Sequence, residues 1–396
     1  MSLLDDARET LPWMVGLRRR IHRHPELGLE LPETQALVIQ TLEDLGLQPR
    51  RGRSLSSVTA IIGADMPGRT VVLRADMDAL PLSEDTGLEF ASDTDGRMHA
   101  CGHDTHVAML LGAARLLVER HRVDPASLPG PVLLMFQPGE EGFFGARVML
   151  EEGLLDGLDL GTTRGFAIHI SARYASGEIH TRPGPMQASA DNFLITIHGR
   201  GGHASTPHLA ADPIPVAAEI VLALQSAVTR TVDIFDPAVL TIGRIAAGTT
   251  HNVIPEVAYL EGTFRCVSAA RRAAMPELIR RVVGGVTAAH GLEAHVRLHE
   301  IYPVSMNDAD VFEHVRAIAV DLLGDANVET LAAPLMPAED WSFVLQRIPG
   351  VMVDLGARPR DADPEGYPQN HSNRVVFDEA AMAVGAALHA KVALEL

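Results

Sequence analysis

The chain has 396 residues, 46% of them hydrophobic and 21% charged, with a formal net charge of −18. That length exceeds one ordinary hydrophobic core, so two domains are expected, and the apolar fraction excludes a disordered chain. The surplus of negative charge argues against nucleic acid and anionic membrane as main partners.

In chain order, the opening MSLLDDARETLPWMVGLRRR is acidic and polar, without the basic-then-apolar pattern of a secretory signal. ETQALVIQTLEDLGL has helical periodicity and stops at Gly46, and VTAIIGA and TVVLRADMD read as strands. THVAMLLGAARLLVERH predicts a helix that begins just after the ligand cluster HACGHD. PVLLMFQPGEEG predicts a buried strand entering a turn, GARVMLEEGLL a helix and GFAIHIS a further strand. Alternation of this kind predicts an α/β fold with a mostly parallel sheet covered by helices. The texture changes near residue 184, where NFLITIHGRGGHAS, AVLTIGRIAAG, VAYLEGTFRC and EAHVRLHEI read as strands around two helices. After it, ADVFEHVRAIAVDLLG, GVMVDLGA and FDEAAMAVGAALHAKVALEL resume the first pattern. We therefore expect a first domain in two parts, residues 1–183 and 298–396, interrupted by an inserted α+β domain at 184–297. No apolar run reaches the roughly 18 residues of a transmembrane helix. The cysteines, Cys101 and Cys266, are too few for a disulfide scaffold. A soluble cytoplasmic protein is expected.

MHACGHDTH places three histidines, a cysteine and an aspartate in nine positions, without the apolar period of a core helix. In open α/β sheets ligands bind outside the carboxyl ends of the strands. Polar residues collect at such ends: Asp76 and Asp78 after TVVLRADMD, Glu140 and Glu141 in QPGEEG, His169 in FAIHIS, and His371 in the loop before the last helix. Alone, each reads as a helix cap, a solvated face or a satisfied loop histidine. Together they suit a dinuclear metal hydrolase. Divalent ions favour imidazole, thiolate and carboxylate, and Cys101, His103, Glu141, His169 and His371 supply the five or so ligands that two ions need. Glu140, left over from the adjacent pair, is the candidate general base, and Asp78 the carboxylate that orients a ligating histidine. Competing motifs are weaker. GRGGHA at 199–204 matches the dinucleotide fingerprint formally, but the next helix opens too late for it. There is no nucleophile elbow, phosphate-binding loop or H-E-x-x-H.

In these motifs the chain resembles the M20 metallopeptidase superfamily, in its amidohydrolase branch of hippurate hydrolases, N-acyl-amino-acid amidohydrolases and auxin-conjugate hydrolases. The resemblance runs in order from LRRRIHRHPELGLELPET through RADMDALPLSE, MHACGHDTHVAMLLGAA, FQPGEEGFFGARVMLEEG, FAIHI, GRGGHASTPH, GTTHNVIPEVAYLEGTFR and MPAEDWSF to HSNRVVFDEAAMAVGAAL. It implies a zinc-peptidase-like catalytic domain with an inserted lid or dimerisation domain, commonly a homodimer through that insert. It also implies two divalent ions per subunit, zinc or manganese, with cobalt and nickel admitted by the same donors. The motif positions give the same five ligands and the same base. They further imply that His203 of the lid polarises the scissile carbonyl, and that Asn252 and Arg265 contact the substrate carboxylate or the oxyanion. His22 and His24 of HRHPE are expected to be structural. Gly139 departs from the usual motif harmlessly, whereas the missing proline after His169 and Asn373 depart beside ligands and bear on substrate fit. The expected substrate is a small N-acyl amino acid or similar amide conjugate. The alternatives are a dipeptidase or aminopeptidase of the same superfamily, or a metal-binding homologue without catalysis.

Overall fold

The computed structural model describes residues 2–396, and the chain divides into two compact units. The first comprises the chain up to Met186, with Met306–Ala333 and Asp340–Leu396; the second comprises Gln187–Ser305 and Pro334–Glu339.

The first unit is built on an eight-stranded sheet. Its order is Arg50–Arg51, Val58–Ile62, Val132–Gln137, Val71–Asp76, Arg164–Ala175, Gly350–Arg358, Ile179–Thr181, Val328–Thr330. The four central strands, Val132–Gln137 to Gly350–Arg358, run parallel, and the neighbours on either side join them antiparallel. Every residue of Val71–Asp76 and Val132–Gln137 is buried, as parallel strands covered on both faces must be. Alternate side chains serve two cores. Val71, Leu73 and Ala75 join a large cluster with the helices Leu3–Arg23, Pro32–Asp44, His103–Val123 and Ala381–Glu395. Val72 joins a smaller one on the opposite face, with Met149, Trp341 and Val344.

His103–Val123 is apolar or small nearly all round and buried from His103 to Val118 except at Arg115, as expected of a helix enclosed by protein. It starts at His103, inside the ligand-rich run, not after it. The residue that precedes it, Gly102, is left-handed (φ 87°), a conformation open to glycine without steric cost. Leu3–Arg23, which the sequence pattern did not single out, is a long helix closed by a capping box between Ser2 and Asp5.

The second unit has a four-stranded antiparallel sheet in the order Ala238–Ala247, Val257–Cys266, Ala190–His198, Glu293–Tyr302. Phe193, Ile195 and Ile197 point alternately inward, against Ile220 and Leu224 of the Pro213–Thr231 helix and Ile279 and Val283 of the Ala269–Ala289 helix. Asp191 is buried at the start of its strand, held by Arg272 at 2.7 and 2.8 Å and by the Ile301 amide. Pro334–Glu339 returns to this unit, where Leu335 bridges Gln187 and Arg265 donates to the Met336 carbonyl. Among the described residues no helix is long and apolar enough to cross a membrane.

Candidate metal centre

Parallel register lines up the polar residues. Asp76 pairs with Gln137, Arg74 with Ala167, and His169 with Asp354, so Asp76, Gln137, His169 and Asp354 occupy one rung across four strands. Just beyond that rung lie Asp78, the turn carrying Glu140 and Glu141, and the run Cys101–His106. Donor atoms of Cys101, His103 and His169 lie within 4.8 Å of one another, as do those of Cys101, Glu141 and His371. The five sequence-predicted ligands therefore form two adjoining triplets that share Cys101. Glu140 makes a third group with His103 and Glu141. The Cys101 Sγ is 3.4 Å from His169 Nε2 and 3.3 Å from His371 Nε2, and His371 Nε2 is 3.2 Å from Glu141 Oε1.

The ring tautomers suit ligation. His103 Nδ1–H donates to the Asp78 carbonyl at 2.8 Å, and His169 Nδ1–H to the Ile170 carbonyl at 2.7 Å. Each leaves its Nε2 lone pair facing the cluster. His103 Nε2 is buried and makes no well-formed hydrogen bond, with Asp76 Oδ2 3.2 Å away, although polar atoms in such a place normally have one. Thiolate, imidazole and carboxylate donors with unspent capacity fit divalent ions. Burial opposes ionisation of Cys101, yet His169 and His103, when their rings are protonated, bring its thiol down to about 6. His371 is raised to about 10 by its hydrogen bonds to Cys101 and Glu141. The Asp78 carboxylate accepts the Glu140 amide on one oxygen and the Glu141 amide on the other, both at 3.0 Å.

The structure also brings forward residues that the sequence reading left without a role. His106 uses both ring nitrogens, donating from Nδ1 to Asp76 and accepting the Ile170 amide on Nε2, so it has no lone pair left for an ion. Arg74 reaches Asp76 at 2.8 Å, Gln137 at 3.0 Å and Asp340 at 3.3 Å beneath the cluster. Asp104 is buried against Arg18 at 3.0 Å and His22 at 2.8 Å, which places the His22 of HRHPE in an ion cluster beside the ligands and outside their set. Burial disfavours the His22 cation, but Asp104 and Glu84 hold it at about 9. Period-based reading misses these because a buried polar network has no period; RADMD and MPAEDWSF were the available signals.

His203, Asn252 and Arg265 lie in the second unit. His203 pairs with Val253 across a two-stranded ribbon, and Ala204 donates to the Asn252 carbonyl, so these two are neighbours. The Ser205 amide donates to His203 Nδ1 at 3.1 Å, which puts the ring proton of the neutral form on Nε2. Arg265 stands apart on Val257–Cys266, donating to Met336 at 3.0 Å.

A donor set of this chemistry at the carboxyl edge of a mostly parallel sheet is of the kind that metal-dependent hydrolases use. The sequence says which: residues 72–395 match Peptidase family M20/M25/M40, and the chain belongs to that family. It is 40% identical to thermostable carboxypeptidase 1 of Saccharolobus solfataricus, over 100% of this chain and 98% of that one. It is 34% identical to the hippurate hydrolase of Campylobacter jejuni, over 100% and 99%. A solved Bacillus subtilis structure, described as a dinuclear metal-binding peptidase of the M20 family, superposes with a TM-score of 0.83 at 34% identity, covering 98% of both chains.

Proposed function

We propose that the chain is a dinuclear amidohydrolase that cleaves the amide bond of N-acyl amino acids or similar small conjugates. The observation that carries it is the pairing of two donor triplets through Cys101 with a second glutamate, Glu140, beside them on the same Asp78-held turn. Bound there by Cys101, His103, Glu141, His169 and His371, divalent ions supply Lewis-acid polarisation of the carbonyl and a more acidic water. Zinc or manganese is the expected pair, with cobalt and nickel admitted by the same donors. Glu140 takes a proton from the attacking water as it adds to the carbonyl carbon. It then delivers that proton to the departing nitrogen, leaving a carboxylate and an amine. His203 is the assigned donor to the developing oxyanion, supported by the proton on its Nε2. Asn252 and Arg265 are assigned to the substrate carboxylate or the oxyanion. We read residues 184–297 as the inserted lid, supported by the compact unit Gln187–Ser305. A homodimer through this insert is supported by its edge strand Ala238–Ala247, where Val239 and Ile245 are exposed. Two free cysteines suit a reducing cytoplasm.

The test is hydrolysis of hippurate and N-acetyl amino acids by chelator-stripped protein, reloaded in turn with zinc, manganese, cobalt and nickel. Activity should return with metal, and Glu140→Ala should lower it about 10²- to 10⁴-fold while still holding two ions. Full turnover by that variant removes Glu140 as the base. The likeness to a carboxypeptidase supports a second reading, cleavage of short peptides. Faster turnover of dipeptides than of N-acyl amino acids would favour it.

A further inference from the structure

His371 differs from the other donors. It sits on a loop, its side chain is 55% exposed, and its backbone is left-handed (φ 69°), which is costly for a residue with a Cβ. Of the other donors, His169 lies on a strand, His103 starts a helix, Cys101 sits two residues before that helix, and Glu141 is on a turn pinned by a buried carboxylate. Something must hold this loop against the cluster. Its neighbour Asn370 is placed to do so. The Asn370 side-chain NH2 donates to the Cys101 carbonyl at 3.1 Å and to the Ile170 carbonyl at 3.0 Å, and its oxygen accepts the Ala172 amide at 3.0 Å. Two carbonyls against the nitrogen and one amide against the oxygen leave no ambiguity in the orientation of the side chain. The His371 amide completes the tie by donating to the Ala100 carbonyl at 2.9 Å.

We infer that Asn370 is a positioning residue for the dinuclear centre: by tying the His371 loop to the Cys101 and His169 segments, it sets the affinity of the Cys101–Glu141–His371 triplet selectively. This rests on the dinuclear reading above. The argument is one of pre-organisation. Without Asn370 the residue beside the ligand keeps only the His371–Ala100 backbone bond, the next ties being at Asn373 and Arg374 to Asp85, and His371 must be forced into its left-handed backbone each time an ion binds. The Cys101–His103–His169 triplet does not include this loop. Carboxylates and amides that hold ligands from outside typically set 10- to 100-fold in metal affinity.

The experiment uses the full-length chain, stripped and titrated with cobalt against a competing chelator, following the thiolate-to-cobalt absorption and the number of ions bound. Wild type should take up two ions. Asn370→Ala, and the near-isosteric Asn370→Asp, should weaken one of the two about 10- to 100-fold and leave the other within about twofold. Melting of the metal-free variants should match wild type, which separates positioning from loss of fold. His371→Ala should weaken the same ion, and adding Asn370→Ala to it should cost nothing further, because the two act as one unit. Equal weakening of both ions, no weakening, or additive losses overturn the inference while the dinuclear reading stands. Uptake of one ion by wild type overturns both.

Discussion

Asp78 divides its work between side chain and backbone, and the division can be tested. Its two carboxylate oxygens each accept one amide, from Glu140 and from Glu141, while its carbonyl accepts the His103 ring proton. Asp78→Asn keeps the carbonyl and the size but turns an NH2 toward one of the two amides. A buried donor facing a donor costs about 1–3 kcal/mol. The turn then shifts, and with it the proposed base and its neighbouring ligand, whereas His103 keeps its orientation. The expected result is kcat lowered 10- to 100-fold with KM little changed and both ions still bound. Unaltered kcat would show that the turn is held by other contacts.

At the scale of elements, the His103–Val123 helix shows what the sequence makes legible and what it hides. Its apolar character and its place after a ligand-rich run are plain. Its first turn is not, because no side chain caps it. The start is set by Gly102, whose left-handed backbone fits no N-cap preference for Ser, Thr, Asp or Asn. This glycine separates two donors, Cys101 and His103, and a Cβ on it would sit 2.3 Å from Ile170 Cγ2, beside His169. Gly102→Ala therefore adds left-handed strain and a core clash, each about 1–3 kcal/mol. We expect it to lower the melting temperature and to weaken both ions more than 10-fold, as measured by metal content after dialysis against buffered zinc. A variant with wild-type uptake would mean that the helix start tolerates a shift. The Asn370 contacts were illegible for a related reason. A loop side chain that binds main-chain carbonyls leaves no periodic trace, and only the adjacent His371 stood out.

At the scale of the molecule, strand–helix alternation made the α/β class legible, since buried parallel strands read as runs such as VVLRAD and VLLMFQ. Strand order did not, because it is set by which faces the helices cover and by short edge strands such as Ile179–Thr181 that carry too few residues to show a period. The return of Pro334–Glu339 to the second unit was equally hidden, being a hexapeptide with no pattern of its own. What the core does record is a histidine where an apolar residue is expected. His389 lies in the last helix, 1% exposed, with its ring edge-on to Phe166 at 5.2 Å and its Nδ1 without a hydrogen bond. Burial pushes its pKa down from 6.5 to about 3, so the folded chain holds it neutral. In the unfolded chain the ring takes up a proton near 6.5. The stability it allows is thus complete above about 6.5 and is lost as pH falls from there toward 3, with a slope of at most about 1.4 kcal/mol per pH unit for one proton. His389→Leu removes that proton and leaves an apolar side chain in an apolar place. Melting temperature plotted against pH for metal-free wild type and variant should converge at pH 7.5 and separate below pH 6, the variant falling less steeply. Metal-free protein is the right sample, since ligand protonation also weakens the loaded form in acid. Parallel curves from pH 7.5 to pH 4 would show that the acid sensitivity of the fold resides in other groups.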